Sequence, residues 1–428
     1  MLRLLIFSGC LSLISGSESQ TIDDFPQPHS SDRHNDERSF GHHVFRESIP
    51  RLLSRTDLFK GERVQHDHVH KVIFAIKQRN IDELTRVLND VSNPLSPNYG
   101  QHWTKQEVAD LTSNPESRDA VVSYLHLHGA SVISETLSDE YIAANAPTAV
   151  WEEMFNTQFF TFHKTHHNDQ RVEKVVRAEK YWVPRELDFH VDSVMNIVEM
   201  PLDSAGRLPE LSPVSRFKTQ DSSTLVIGGA ISPYKIKSYY NMSNTLRGTV
   251  NSTQAIFAGI GQYFSPADLT QFQVKFGLPQ EAVVASIGDH SSDAVCLSNN
   301  FQCGEFNIDL QYIMAMSPGS PTTAWYTDDS FSGWLYAVSI LVDPPKVLSI
   351  SYGALEKDFT ESDKNRFNLM AIKLGTMGVT IVVSSGDDGA NSYMLVAGSY
   401  CGYYPTFPAS NPYVVTVGGT VVSKEQVT

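Results

Sequence analysis

From Ala255 to Val417 the sequence alternates short apolar runs with segments of helical period, and this alternation constrains the fold more than any other feature of the chain. Ala255-Ile256-Phe257-Ala258-Gly259, Thr323-Ala324-Trp325-Tyr326, Lys346 to Tyr352, Val379 to Ser384 and Tyr413 to Val417 read as strands. Between them, Trp334 to Leu341 and Glu361 to Leu374 carry the apolar spacing of amphipathic helices. Ser265-Pro266-Ala267-Asp268 supplies an N-cap, a first-turn proline and an acid at the third helical position, so a helix opens there and runs to Phe276. Apolar strands separated by amphipathic helices predict an α/β fold, a parallel sheet with helices on both faces. Ligands of such sheets bind beyond the carboxyl ends of the strands.

The first half follows a different pattern. Val72 to Ile76 reads as a strand, Ile81 to Val91 as a helix with Leu84, Val87 and Leu88 apolar, and Ser96-Pro97-Asn98-Tyr99-Gly100 as a turn. Arg118 to His128 and Pro147 to Phe155 read as helices, with strands near Ser131 to Ser134, Tyr141 to Ala144 and Phe159 to His163. This predicts a small α+β domain, an antiparallel sheet under two helices. Between Pro201 and Ser223 proline, serine and glycine recur without periodicity, as in an exposed linker open to proteolysis. The basic start, short apolar core and small residues of Met1 to about Ser19 read as a secretory signal. The expected division is therefore signal 1–19, flexible leader 20–60, small domain 61–200, linker 201–223 and α/β domain 224–428.

Composition narrows the partners. A formal net charge of −15 over 428 residues argues against nucleic acid or an anionic membrane as the main partner, and no later run is long and apolar enough to span a bilayer. In a secreted chain Cys296 and Cys303 are expected to pair across their short loop, leaving Cys401 odd. Asn241-Met242-Ser243 and Asn251-Ser252-Thr253 are glycosylation sequons that agree with export. The expected location is the secretory pathway, extracellular or in a lysosome or vacuole.

Chemistry is bounded by histidine placement. Of the 15 histidines only His290 lies beyond residue 200, so the α/β domain has no imidazole to spare for a Ser-His-Asp triad or a His-rich metal site. Carboxylates are left to move protons. In Gly304-Glu305-Phe306-Asn307-Ile308-Asp309-Leu310-Gln311-Tyr312, Phe306, Leu310 and Ile313 fall at helical spacing, and Glu305 and Asp309 lie one turn apart on the neighbouring face. That face is either solvated or an acid–base pair. The alternating His66, His68 and His70 are one conceivable metal face, against solvated or packed positions for each.

The carboxylate run, together with Val347-Leu348-Ser349-Ile350-Ser351-Tyr352-Gly353, Ser385-Gly386-Asp387-Asp388-Gly389-Ala390 and the segment from Phe407-Pro408-Ala409 to Gly418-Gly419-Thr420, resembles the sedolisin family of serine-carboxyl peptidases. The resemblance covers roughly residues 64 to 420. It implies a subtilisin-like sheet preceded by an activation domain that inhibits the peptidase intramolecularly, and a Ser-Glu-Asp triad acting on peptide or protein substrates. Carried over by motif, Glu305 is the general base, Asp309 orients and tunes it, and Asp387 donates a hydrogen bond to the oxyanion as a protonated acid. Ser351, Tyr352 and Gly353 correspond to the edge segment that pairs with the substrate backbone. Such an enzyme works in acid, as a tripeptidyl aminopeptidase or an endopeptidase, and a complete family member binds calcium.

The family's nucleophile belongs to a Ser-Gly-Thr-Ser motif downstream of the stretch matched by Gly418-Gly419-Thr420, and no serine of residues 1–428 matches it. The calcium ligands and a partner for Cys401 are likewise expected further on. On this reading the chain as written has no peptidase activity. It is either an incomplete product of a proenzyme gene or a binding or inhibitory protein acting through its activation domain. The many histidines of the first half add an expectation, that acidification charges this domain and loosens it from the acidic α/β domain.

Overall fold

The computed structural model describes residues 39–49, 58–136, 138–165, 172–200, 231–327, 329–387, 389–390 and 403–419. The signal segment, the linker 201–223 and Cys401 lie outside them.

The first half carries β1 (Ser39–Phe40), β2 (His43–Ser48), β3 (Leu58–Arg63), β4 (Val69–Ile76), β5 (Ser131–Glu135), β6 (Tyr141–Pro147), β7 (Phe159–Thr165), β8 (Val172–Ala178), β9 (Lys180–Pro184) and β10 (Val191–Met195). Its central sheet is antiparallel in the order β10-β4-β6-β5, and two small sheets, β1-β2-β9 and β3-β7-β8, flank it. On one face, Val72, Phe74 and Ile76 of β4 pack with Val121 and Leu125 of the helix Pro115–Leu127 and with Trp151 and Met154 of the helix Thr148–Met154. These are the two helices the sequence predicts over the sheet. The helix Lys105–Thr112 is one the sequence reading misses: it is short, but the Thr104 side chain and Glu107 close a reciprocal cap at its start.

Residues 39–49 depart from the expected flexible leader. Gly41 turns the chain at φ +58°, β2 pairs with β9, and Phe45 meets Trp182 edge-on at 5.6 Å between ring centroids. A polar segment of no clear period is held here by its pairing with a strand more than a hundred residues away, which local sequence does not reveal.

The second half carries β11 (Gln254–Ala258), β12 (Ala285–Ile287), β13 (Thr322–Tyr326), β14 (Val347–Ile350), β15 (Ala354–Leu355), β16 (Thr380–Ser384), β17 (Thr406–Phe407) and β18 (Val415–Val417). Six strands form one sheet in the order β12-β13-β11-β14-β16-β18, and every pairing is parallel. Period-two burial on β11 shows both covers. Ala255 and Phe257 join the layer of helices Phe331–Ser339 and Glu361–Thr376, while Ile256 and Ala258 join Phe306 and Leu310 of the helix Gly304–Met316. The expected mixed α/β architecture with a parallel sheet is thus present. Cys296 and Cys303 form a disulfide immediately before the helix Gly304–Met316.

The halves share a core. Ile73 and Ala75 of β4, Tyr141 and Ala143 of β6 and Met195 of β10 pack against Trp334, Leu335 and Val338 of one helix and Phe367 and Met370 of the other. Each large apolar side chain buried there contributes roughly 1.5–3 kcal/mol. Charges cross the same interface. Arg366, 1% exposed, donates to Glu199 at 3.0 Å, to Asp363 at 2.5 Å and to the Ser193 hydroxyl at 2.8 Å. Lys373 donates to Glu140 and, at 2.7 Å, to Gln78. Buried ion pairs recover little beyond their desolvation, so the apolar contacts hold the halves together and the charges fix their register.

Candidate active site

The helix Gly304–Met316 is placed by its apolar side. Phe306, Leu310 and Met314 are buried, and the Phe306 ring meets Phe264 edge-on at 5.2 Å. Asn307, on another face, accepts from the Ser265 backbone N–H at 2.9 Å and donates to Asp268 at 3.1 Å, which ties the helix to the capped start of Pro266–Lys275. With those sides committed, Glu305 and Asp309 are carried to the edge where β14 ends. There the Ser351 hydroxyl donates to Asp309 Oδ1 at 2.8 Å, and Asp309 Oδ2 is buried without a partner among the described residues.

The electrostatics follow from this crowding. Burial is the main cause that raises the Glu305 carboxyl above its ordinary range, the charge of Asp387 raises it further, and a hydrogen bond from Ser351 opposes both. Asp309 is held well above its ordinary range by burial first and by Glu305 second, again opposed by Ser351. Two carboxyls so placed share a proton and lose it in coupled steps. Asp387 stands on the loop after β16, exposed, next to Gly386 in the left-handed region at φ +86°. The site thus assembles from three separate elements: a helix, the end of β14 and the loop after β16.

Ser351, Tyr352 and Gly353 lie between Ile350, the last residue of β14, and β15, and belong to neither strand. The sequence expectation of a strand continuing to Tyr352 is therefore too long by two residues. The Tyr352 ring is 5% exposed and edge-on to Phe257 at 5.4 Å, so any ligand contact it makes is through its backbone. Burial, then Asp309 and Glu305, push its hydroxyl well above the usual phenol range. A Cβ on Gly353 would sit 3.2 Å from the Phe407 carbonyl oxygen, which keeps this position small where β15 and β17 pair.

The Ser351 side chain is the contributor that sequence reading misses. Its signal is position alone: a hydroxyl just past the carboxyl end of an apolar parallel strand. The histidine trio does not form a metal face. His70 is the second residue of β4, buried, with Nε2 2.8 Å from the Asn196 carbonyl oxygen, whereas His66 and His68 lie before the strand and are exposed. Among the described residues no group of three or more His, Cys, Asp or Glu side chains is placed to hold a metal ion. No described helix is long and apolar enough to cross a membrane.

Comparison with known proteins gives these observations a context. Residues 56–200 match the family described as Pro-kumamolisin, activation domain. The chain is 28% identical over 376 residues to Tripeptidyl-peptidase 1 of Mus musculus, covering 84% of this chain and 62% of the relative. It is 29% identical over 365 residues to Tripeptidyl-peptidase 1 of Homo sapiens, covering 81% and 61%. The chain thus spans under two thirds of the length of these relatives. Among solved structures, Pseudomonas sedolisin (serine-carboxyl proteinase) complexed with two molecules of pseudo-iodotyrostatin aligns at a TM-score of 0.36 and 25% identity, covering 44% of this chain and 53% of that one. Residues 56–200 match a pro-kumamolisin activation domain, and over most of its length the chain is similar to tripeptidyl-peptidase 1.

Proposed function

We propose that this chain is the proenzyme part of an acid-acting serine-carboxyl peptidase made in the secretory pathway. Glu305 is its general base, Asp309 tunes that base, and Asp387 donates to the oxyanion. The observation that carries this reading is the meeting of Glu305, Asp309 and Ser351 beside Asp387 at the carboxyl ends of β14 and β16, in a domain whose proton-transfer groups are carboxylates. The nucleophile that Glu305 would serve is a serine hydroxyl, which the family carries in a Ser-Gly-Thr-Ser motif. A carboxylate base is ionised at a pH where imidazole is already charged, and Asp387 must keep its proton to donate, so turnover belongs to acid conditions. The substrate is a peptide whose backbone lies along Ser351, Tyr352 and Gly353, outside both neighbouring strands. The activation domain inhibits in the same chain, and its docking through Arg366 and Lys373 supports that assignment.

The test is hydrolysis of peptides with free N-termini by the protein made from the complete transcript, acidified to between about pH 3 and pH 5. Cleavage in acid that falls by at least about a hundredfold in Glu305→Gln and in Asp387→Asn is expected, by analogy with the loss of a base or an oxyanion donor. Mass spectra of the products separate tripeptide release from internal cleavage. Undiminished cleavage in Glu305→Gln overturns the assignment.

A further inference from the structure

Two carboxyls one helical turn apart can hold two protons, one or none. The form with one is the form in which one partner can act as a base while the other still donates. Something must favour that form over the neutral pair as the solution becomes acidic. Among the described residues the groups facing the pair from the neighbouring elements are Asp387 after β16, which adds negative charge only when ionised, and the buried Tyr352 hydroxyl after β14. Asp268, on the adjacent helix, is bonded to Asn307 on another face of the carboxylate helix. None of these is a cation. Among the described residues the donor in reach is the Ser351 hydroxyl, 2.8 Å from Asp309 Oδ1, and it also opposes the rise of the Glu305 carboxyl.

We propose that the Ser351 side chain is a positioning residue that keeps the Glu305–Asp309 pair in its singly protonated form by giving its one hydroxyl hydrogen to whichever carboxylate is ionised. The inference rests on the peptidase reading above, but it assigns to Ser351 a role its backbone contact with substrate does not include. A hydroxyl rotates freely about its C–O bond, so one group serves either oxygen. A bond donated to a charged acceptor is about twice as strong as one donated to a neutral carboxyl. The hydroxyl therefore stabilises the anionic pair more than the neutral pair, and lowers the pH at which the first proton leaves. Asp309 Oδ2, buried and unpartnered, is the oxygen left to take part in the shared proton. In the complete enzyme this extends the acid limb of activity to lower pH.

The experiment uses the full 428-residue chain, so it reads the pair without turnover. Wild type, Ser351→Ala and Ser351→Thr are treated with a water-soluble carbodiimide and an amine, which derivatise protonated carboxyls, between about pH 3 and pH 7, and labelling at Glu305 and Asp309 is mapped by mass spectrometry. Ser351→Ala is expected to move the labelling midpoint up by about one pH unit, and Ser351→Thr, which keeps a hydroxyl, to leave it in place. Thermal melts identify a variant that has merely unfolded, and Ser351→Cys then stands in for it as a weak donor with an intermediate shift. A midpoint unmoved in a folded Ser351→Ala, or moved equally in Ser351→Thr, overturns the proposal. Because labelling needs no nucleophile, that result is distinct from failure of the peptidase reading, which the hydrolysis assay with Glu305→Gln tests.

Discussion

At the level of single residues, the side chains that matter differ in how far apart in sequence their partners lie. Helical spacing alone puts Glu305 and Asp309 on one face but leaves open whether that face is merely solvated. The Ser351 contact was not legible, since it depends on how the carboxylate helix sits across the end of β14. Glu47 was read as part of a featureless leader, yet it is 6% exposed and close to Arg366 and Glu199. Burial first, then the charge of Glu199, push its carboxyl up to about 7 against an ordinary 4.5, with Arg366 opposing. A carboxyl raised in the folded state favours folding while it is protonated, and that contribution is lost as pH rises from about 4.5 through about 7. Glu47→Gln is therefore expected to raise the melting temperature near pH 8 while changing it little near pH 5. The gain corresponds to at most about 3 kcal/mol. A melt series across that range decides it, and an equal effect at both ends would refute the account.

At the level of elements, the long periodic ones stood out from the sequence and the short or exposed ones did not. The strands at 254–258, 322–326 and 380–384 and the helices at 266–275 and 361–376 lie within a few residues of their sequence-based bounds. β12, exposed along its whole length, carries no alternation to detect, and the helix Lys105–Thr112 has too few turns to show a period. The carboxylate helix depends on a contact that no pattern announces, the two bonds of the Asn307 side chain to Ser265 and Asp268. Asn307→Ala is expected to cost about 1–2 kcal/mol by leaving the Ser265 N–H without its acceptor. On the proposed function it should also reduce kcat, because the helix that shifts carries the proposed base Glu305. A drop in melting temperature with unaltered kcat would show that the anchor serves stability alone.

At the level of the whole molecule, two buried groups oppose each other in pH. His70 is lowered to about 4 from an ordinary 6.5, by burial above all, so the folded state prefers it neutral. Its contribution is complete above about 6.5 and is lost as pH falls through about 4, the reverse of Glu47. The two windows overlap between about 4.5 and 6.5, where their opposite slopes nearly cancel and the profile is expected to be flat, so in His70→Gln stability should instead rise by up to about 3 kcal/mol as pH falls through them. A profile whose acid side is unchanged in that variant would exclude His70. His70, inside the activation domain, is a histidine that resists protonation in the folded state. At the interface the raised carboxyls of Glu47 and Glu199 favour docking as pH falls toward about 4.5.

The sequence pattern changes near residue 200, but nothing in it marks the face on which the two halves pack, apart from one trace. That trace is the unbroken apolar run Val72 to Ile76, where a sheet wetted on one side would alternate. That run has a consequence for how such proteins diverge. Neighbouring residues of one strand answer to different hosts: Phe74 to the helices of its own domain, Ile73 and Ala75 to the helices of the α/β domain. A change of volume at Trp334 or Phe367 must then be matched on β4 or β6, while a change at Trp151 need not be. The two halves of this chain are thus free to drift in their loops but bound to vary together along one seam, so an activation domain grafted from a distant relative would meet a surface shaped for another.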